Sequence, residues 1–252
     1  MTDTANAIAR VAVPQGKVAC FWLGQAGFVF KTSGGVLIAV DPYFSDCCNR
    51  YFGFRRITPA VMRATDVEFD YLFASHAHFD HFDPDSVPLM MQNGRTKLIC
   101  ASDCATECGR LGIDGKNVVF LKEGEVFCEG EISAEAVSCD HGSLAPLAVG
   151  FLFGIAGKKI YFTGDTSFRE DYFTDPRRSR ADLLILPING AFGNLNEEEA
   201  VRAACLLRPK AVIPCHFWNF KEHGGDPQKF YVRAQEEKLN APLIPMGEYL
   251  LF

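Results

Sequence analysis

Apolar residues come in short runs separated by Gly, Asp, Asn and Pro, the pattern of strands more than of long helices. Residues 18–22, 28–31 and 36–40 are predicted strands, joined by the turns Gly24-Gln25-Ala26-Gly27 and Ser33-Gly34-Gly35 into a meander. Asp41-Pro42 stops the third strand. Residues 43–66 have no clean period and read as a long loop with a helical turn at 59–63, and a loop of that length is usually functional or mobile. Strands follow at 71–74, 97–101, 118–121, 125–128, 132–139, 149–155 and 159–163, with a helix over 84–92 closed by Asn93-Gly94.

The last third alternates between the two patterns. A strand at 183–187 leads to a helix at 196–207, whose opening Asn-Glu-Glu-Glu puts acidic groups at the positive end of the helix dipole. A strand at 211–214 follows, then a helix from Asp226-Pro227 to about residue 239, and strands at 242–245 and 248–252. No internal repeat and no low-complexity tract interrupts this order. Two strand-rich halves with helices outside predict an α+β chain folded as a four-layer αβ/βα sandwich, with two mixed sheets face to face, in a single domain over 1–252.

At 252 residues and 48% hydrophobic content the chain can bury a large core. The formal charge of -6, without a Lys/Arg run, argues against a nucleic-acid partner or an anionic membrane surface. No basic leader and no long apolar stretch is present, so the expectation is a cytoplasmic protein without a membrane span. Ten dispersed cysteines read as reduced thiols. Cys100, Cys104 and Cys108 fit a strand end and one stripe of a short helix capped by Ser102 better than a metal clip, because no CxxC pair is present. Cys47 and Cys48 read as bystanders in the long loop.

The chemistry concentrates at strand ends. Ser75-His76-Ala77-His78-Phe79-Asp80-His81 leaves the strand 71–74 with three of the six histidines and a carboxylate. His141 follows the strand 132–139, Asp165 the strand 159–163 and His216 the strand 211–214. If those ends meet along one rim, the seven side chains supply enough nitrogen and oxygen donors for two divalent ions. His76 and His78, two apart on an extended loop, can share one ion with His141. Asp80 and His81 can share the other with His216, and Asp165 can give one oxygen to each. Two cations with a carboxylate and a water between them lower the water's pKa and deliver hydroxide, so no protein side chain need act as nucleophile. Histidine-rich ligation favours zinc, and manganese or iron tolerate the same donors.

With this full HxHxDH run at His76, His78, Asp80 and His81, and His141, Asp165 and His216 downstream, the chain resembles the metallo-β-lactamase superfamily over nearly its whole length. Residues 22–27, 41–45 and 188–190 (Ile-Asn-Gly), with the stretch after His216, look like the branch that contains L-ascorbate 6-phosphate lactonase; relatives there include phospholipases that cleave N-acyl phosphatidylethanolamine. The resemblance implies the four-layer fold, the seven metal ligands and a buttressing role for Asp41 behind the histidine loop. The lactonase's charged stretch after its Asn-Gly is here Asn189-Gly190-Ala191-Phe192-Gly193-Asn194, mostly small or apolar.

The remaining residues support weaker readings. Asp41 fits an Asp-Pro turn as well as a buttress. Gln25 reads as a hairpin tip ahead of a substrate donor, and His223 as a solvated loop histidine ahead of a contact to a substrate anion. Arg55, Arg56, Asn189 and Lys221 complete the substrate-binding candidates, the cations because they would hold an anionic group. The expected activity is a dinuclear metal-dependent hydrolase that opens a lactone or carboxylic ester of a small molecule, with Asp80 and Asp165 as its catalytic carboxylates. Phosphodiester hydrolysis, as in a phospholipase D, and metal binding without turnover are the alternatives; a homo-oligomer is compatible with either.

Overall fold

The computed structural model describes residues 2–252. Thirteen strands lie among them: β1 (Val18–Gly24), β2 (Gly27–Thr32), β3 (Leu37–Val40), β4 (Tyr71–Ala74), β5 (Lys97–Ala101), β6 (Val118–Leu121), β7 (Val126–Glu129), β8 (Ile132–Ser138), β9 (Val149–Ile155), β10 (Lys158–Phe162), β11 (Leu183–Pro187), β12 (Val212–Cys215) and β13 (Tyr249–Leu251). They form two mixed sheets, in the orders β13-β1-β2-β3-β4-β5-β6 and β12-β11-β10-β9-β8-β7. The first is antiparallel through β3 and parallel beyond it; the second is parallel across β10, β11 and β12 and antiparallel elsewhere.

Strand β1 shows why its sequence lacks polar alternation: every residue of Val-Ala-Cys-Phe-Trp-Leu-Gly is buried. Val18, Cys20 and Trp22 join the core between the sheets, with Phe28, Phe30 and Phe73 from one side and Phe151, Phe153 and Phe162 from the other. Ala19, Phe21 and Leu23 point the opposite way, against the helices α1 (Asp3–Arg10), α3 (Val87–Met91) and α4 (Cys104–Leu111). A strand covered on both faces reads as one continuous apolar run. Outside the second sheet, α6 (Glu197–Leu207) and α7 (Pro227–Glu236) add Ala200, Ala203, Phe230 and Ala234 to the core. The result is helices, sheet, sheet, helices.

Several local expectations are corrected. Residues 59–63 form no helix; the helix in the long loop is α2 (Cys47–Phe52), six residues closed by Gly53 at φ 77°. It is too short to show a period, and burial of Cys47 and Cys48 anchors it. The helix expected at 84–92 shortens to α3, because buried Asp83 accepts from the amides of Asp85 and Ser86 and from Ser86 Oγ, holding that stretch as a turn. Ser102 caps nothing; Asp103 precedes α4 without a side-chain capping bond. Residues 242–245 pair with no strand, and α1 and the short α5 (Glu170–Phe173) were not anticipated. By contrast, α6 opens on a capping box in which Asn196 and Glu199 exchange two bonds of 3.0 Å.

Asp83 also ties the long loop to the histidine loop, since Phe44 N, Ser45 N and Ser45 Oγ all donate to it at 2.7–2.9 Å. Asp83→Ala leaves these buried donors unpaired, at a cost of about 2 to 4 kcal/mol. Denaturant melts should show this loss, and an unchanged midpoint would contradict it.

Candidate metal centre

The carboxyl ends of β3, β4, β8, β10 and β12 deliver Asp41, His76, His141, Asp165 and His216 to one rim. The two sheets are joined there by Val149 N donating to Ser75 O at 3.0 Å. Asp41 and His216 have left-handed backbone, φ 46° and 63°, which turns each chain sharply out of its strand. Such conformations cost about 1 kcal/mol or more and persist where surrounding contacts enforce them.

The structure brings all seven predicted ligand residues together. His76 Nε2 lies 2.9 Å from His78 Nδ1, which lies 3.3 Å from His141 Nε2. Around His216 Nε2 stand His81 Nε2 at 3.2 Å, Asp80 Oδ2 at 3.4 Å and Asp165 Oδ2 at 3.2 Å. Asp165 links the halves: its Oδ1 is 3.4 Å from His81 Nε2, and its Oδ2 is 3.7 Å from His141 Nε2. Both expected groupings therefore exist as clusters of donor atoms.

Hydrogen bonds behind the cluster show what it is built for. Ser75 N and Oγ donate to Asp41, and His81 Nδ1 donates to Asp41 Oδ2 at 2.6 Å, so His81 Nε2 faces the site. Ser75 has spent its single hydroxyl proton on Asp41, so at 3.0 Å it can only accept from His76 Nδ1. His78 Nε2 likewise donates to Leu144 O at 3.1 Å. His76 Nε2 and His78 Nδ1 then meet lone pair to lone pair. That contact is repulsive by itself and becomes favourable around a cation, so the donor set fits a divalent ion.

Electrostatics separates the two halves. Burial lowers His76, and it brings His141 down to about 4, which leaves imidazole lone pairs free at neutral pH. Burial also opposes charge on His81 and His216, yet Asp165 and Asp80 outweigh it: His81 is raised well above its usual value and His216 to about 9. Burial works to raise Asp80 and Asp165, but His81 and His216 hold both well below the carboxylate range. A cation entering the second half must displace protons that one entering the first need not. Zinc uptake there should release about one to two protons per ion, and affinity should rise with pH towards 9. Calorimetry in buffers of different ionisation heat measures this; a proton count of zero would contradict it.

The remaining candidates are placed as follows. Arg55 and Lys221 are exposed and line no part of the cavity over the site. Arg56 is spent on the long loop, donating to Tyr43 O and Ser45 O and lying 4.6 Å over the Tyr43 ring. Asn189 is buried beneath the loop 223–225, with its amide on Ala191 O. His223, expected in solvent, is half-buried and lines the cavity. Gln25 sits at the hairpin tip as expected, but its side chain turns inward, donating to Asp80 Oδ2 at 2.8 Å. Asn194, not anticipated, donates to Asp165 Oδ2 at 2.8 Å. The only signal for it was its place in a turn facing a strand end. Cys100, Cys104 and Cys108 are buried against the first sheet, with burial pushing Cys104 up to about 11, so they are protonated packing residues.

The cavity has a volume of about 330 Å³, with Asp80, Asp165, His78, His141 and His216 at its floor. Phe52, Phe54, Phe79, Phe192 and Leu144 line its walls, and neither Lys nor Arg does.

Comparison with known proteins agrees with this architecture. Residues 20–216 match the family described as the Beta-lactamase superfamily domain. A UPF0173 metal-dependent hydrolase of Thermus thermophilus is 30% identical over 238 residues, covering 91% of this chain and 96% of its relative. Another, from Polynucleobacter asymbioticus, is 29% identical and covers 95% and 87%. Among solved structures, Igni18, a metallo hydrolase of Ignicoccus hospitalis, superposes with a TM-score of 0.76 at 21% identity, covering 94% of this chain and 98% of its own. Fold and site thus define a protein of the metallo-β-lactamase superfamily. Within it, the chain belongs to the UPF0173 family of metal-dependent hydrolases.

Proposed function

We propose that the protein hydrolyses a neutral, apolar carboxylic ester or lactone, with His76, His78 and His141 holding one divalent ion, and Asp80, His81 and His216 a second beside the shared Asp165. The observation that carries the substrate class is the cavity: aromatic walls over an acidic, histidine-rich floor, with no Lys or Arg side chain. Desolvating a phosphate there would go uncompensated by any Lys or Arg, whereas an acyl chain or ring gains about 25 cal/mol for each Å² buried. This favours lactone opening of the kind suggested by the ascorbate 6-phosphate lactonase resemblance, but on a substrate without the phosphate. It also places phosphodiesters second. Divalent ions bound at such a site, zinc being the best match to its histidines, supply Lewis acidity and a water acidified towards neutral pH.

The chain's own groups do the rest. Asp80 stays ionised, and Gln25 holds its Oδ2, so the carboxylate can accept a hydrogen bond from the attacking water and orient it. Asp165, fixed by Asn194, keeps the two histidine groups in register. Phe52, Phe54 and Phe192 exclude solvent from the acyl side.

Metal-reconstituted protein should be tested on 4-nitrophenyl esters of increasing chain length, on lactones, and on bis(4-nitrophenyl) phosphate. Esters or lactones should lead, and Asp80→Ala should lose about 10² to 10⁴ in kcat. Faster phosphodiester cleavage would overturn the substrate class, and no turnover on any of them would leave a metal-binding protein. An Asp80→Ala variant with full metal and full activity would remove the role given to Asp80. Phe192→Ala should raise KM for long acyl chains about tenfold while sparing acetate esters, because about 1 to 2 kcal/mol of burial is lost. Equal effects on both would refute the acyl-side placement.

A further inference from the structure

Gln25 and His223 stand outside the seven-residue cluster, yet both face its second half, and the hydrolysis proposed for the site assigns no role to His223. We propose that His223 is a catalytic residue that donates a hydrogen bond from Nε2 to the carbonyl or leaving-group oxygen of the substrate, and that Gln25 positions it by fixing its tautomer. The substrate in this statement is the ester or lactone proposed above.

The ionised Asp80 carboxylate accepts from the Gln25 amide at 2.8 Å, which settles which end of that amide is nitrogen. The Gln25 side chain is fully enclosed, and its Oε1 has no hydrogen-bond partner, so the amide is held by what its nitrogen does. The second N–H has three ring nitrogens within reach, His216 Nε2 at 3.0 Å, His216 Nδ1 at 3.3 Å and His223 Nδ1 at 3.2 Å. His216 Nε2 also faces Asp165 and His81, the direction of the second ion. With the proposed ion on the Nε2 lone pair, neutral His216 carries its proton on Nδ1 and neither of its nitrogens can accept, so the N–H belongs to His223 Nδ1. A neutral imidazole that accepts at Nδ1 carries its proton on Nε2. His223 has no other side-chain hydrogen bond among the described residues, and it lines the cavity. Its Nε2–H is thus a donor with no protein acceptor, at the edge of the reaction site.

The ring is held as a catalytic donor must be. It stacks on His216 at 4.9 Å and 9°, and meets Phe220 and Phe54 edge-on at 4.9 and 5.7 Å. The following glycines let its loop press against the chain beneath: a Cβ on Gly224 would stand 2.6 Å from Asn189 O, and Gly225 has φ 97°. A preorganised donor aimed at developing negative charge in a dry pocket typically contributes about 10²- to 10³-fold in kcat. The competing arrangement is a cation held by Asp80, His216 and His223, whose donor atoms lie within 4.8 Å of one another. Gln25 Nε2 already fills the space between those three atoms.

The test uses full-length zinc-loaded protein and 4-nitrophenyl butyrate, with His223→Phe, His223→Gln and Gln25→Ala. His223→Phe keeps the ring and its stacking but loses the donor. It should retain wild-type zinc content by elemental analysis, and lose about 100-fold in kcat with KM within about threefold. His223→Gln restores an N–H at similar reach and should recover at least about tenfold of that loss. ¹⁵N shifts of the His223 ring should report Nε2–H in the zinc-loaded wild type, and a mixture of tautomers in Gln25→Ala. Loss of one zinc in His223→Phe would make His223 a ligand and overturn the proposal; so would a kcat within threefold of wild type, or an Nδ1–H tautomer. If the wild type turns over no ester or lactone, the function proposed above fails, while the zinc content and the ring tautomer still decide whether His223 is a free donor or a ligand.

Discussion

Asp165→Ala is expected to abolish turnover, with a loss of about 10³-fold or more, and to leave the chain with one tightly held ion in place of the two proposed. Asp165 is the group that touches both histidine clusters, with one oxygen 3.4 Å from His81 and the other 3.2 Å from His216 and 3.7 Å from His141. Without it, the second half keeps Asp80, and Asp41 behind His81, to offset imidazoles that Asp165 otherwise helps to hold charged. In the proposed two-ion site, an ion there would lose a ligand, and the attacking water would lose the carboxylate beside it. The first half, His76 with His78 and His141, keeps its three nitrogen donors. Elemental analysis after dialysis, beside kcat on the best ester, reads both effects. Two retained ions with activity within tenfold of wild type would show that Asp165 is not the shared group. Exhaustive chelation of the wild type should likewise remove activity, and added zinc should restore it.

Asp41→Ala is expected to have the largest effect on stability, because Asp41 is fully buried and accepts three hydrogen bonds, from Ser75 N, Ser75 Oγ and His81 Nδ1. Removing it strands all three partners in the interior, and breaking a buried charged pair costs about 3 to 5 kcal/mol. Asp41 also sets two tautomers, that of His81 directly and that of His76 through the Ser75 hydroxyl, so metal affinity should fall about 10- to 100-fold as well. Thermal melts with and without zinc check the first effect, and competition with a chromogenic chelator the second. Asp41→Asn, which preserves shape, should recover part of the stability; its amide nitrogen cannot accept from the groups around it, so it should recover little of the affinity. Wild-type melting and affinity in Asp41→Ala would reduce Asp41 to the simple Asp-Pro turn that the sequence also allowed.

Much of the architecture was legible because the signals are local. The apolar runs of β1, β4 and β11 are uninterrupted because those strands are buried on both faces, and a doubly buried strand cannot be hidden by surface chemistry. The opening of α6 was readable from Asn196 and its acidic neighbours because a capping box spans only four residues. The short helix α2 was not, since it has no room for a period and is fixed by contacts of Cys47 and Cys48 with Tyr43 and Phe220. The run at 242–245 reads as a strand yet pairs with none, because apolar character reports burial, here of Ile244, and not strand pairing.

The site divides in the same way. That His76, His78, Asp80 and His81 belong together follows from proximity in the chain, and that His141, Asp165 and His216 belong with them follows from each one's position just after a strand. Which substrate candidates reach the cavity does not follow, because a loop side chain can turn either way at no cost visible in its neighbours. Arg55, Arg56 and Lys221 stay out of it, while His223 lines it and Gln25 turns beneath it onto Asp80. By itself, then, the sequence determined the layers and the donor atoms, since burial and strand order are written in residue type and spacing. Only the tertiary structure decided the tautomers, the apolar walls and the partners of Gln25, because those depend on contacts between segments as much as 198 residues apart.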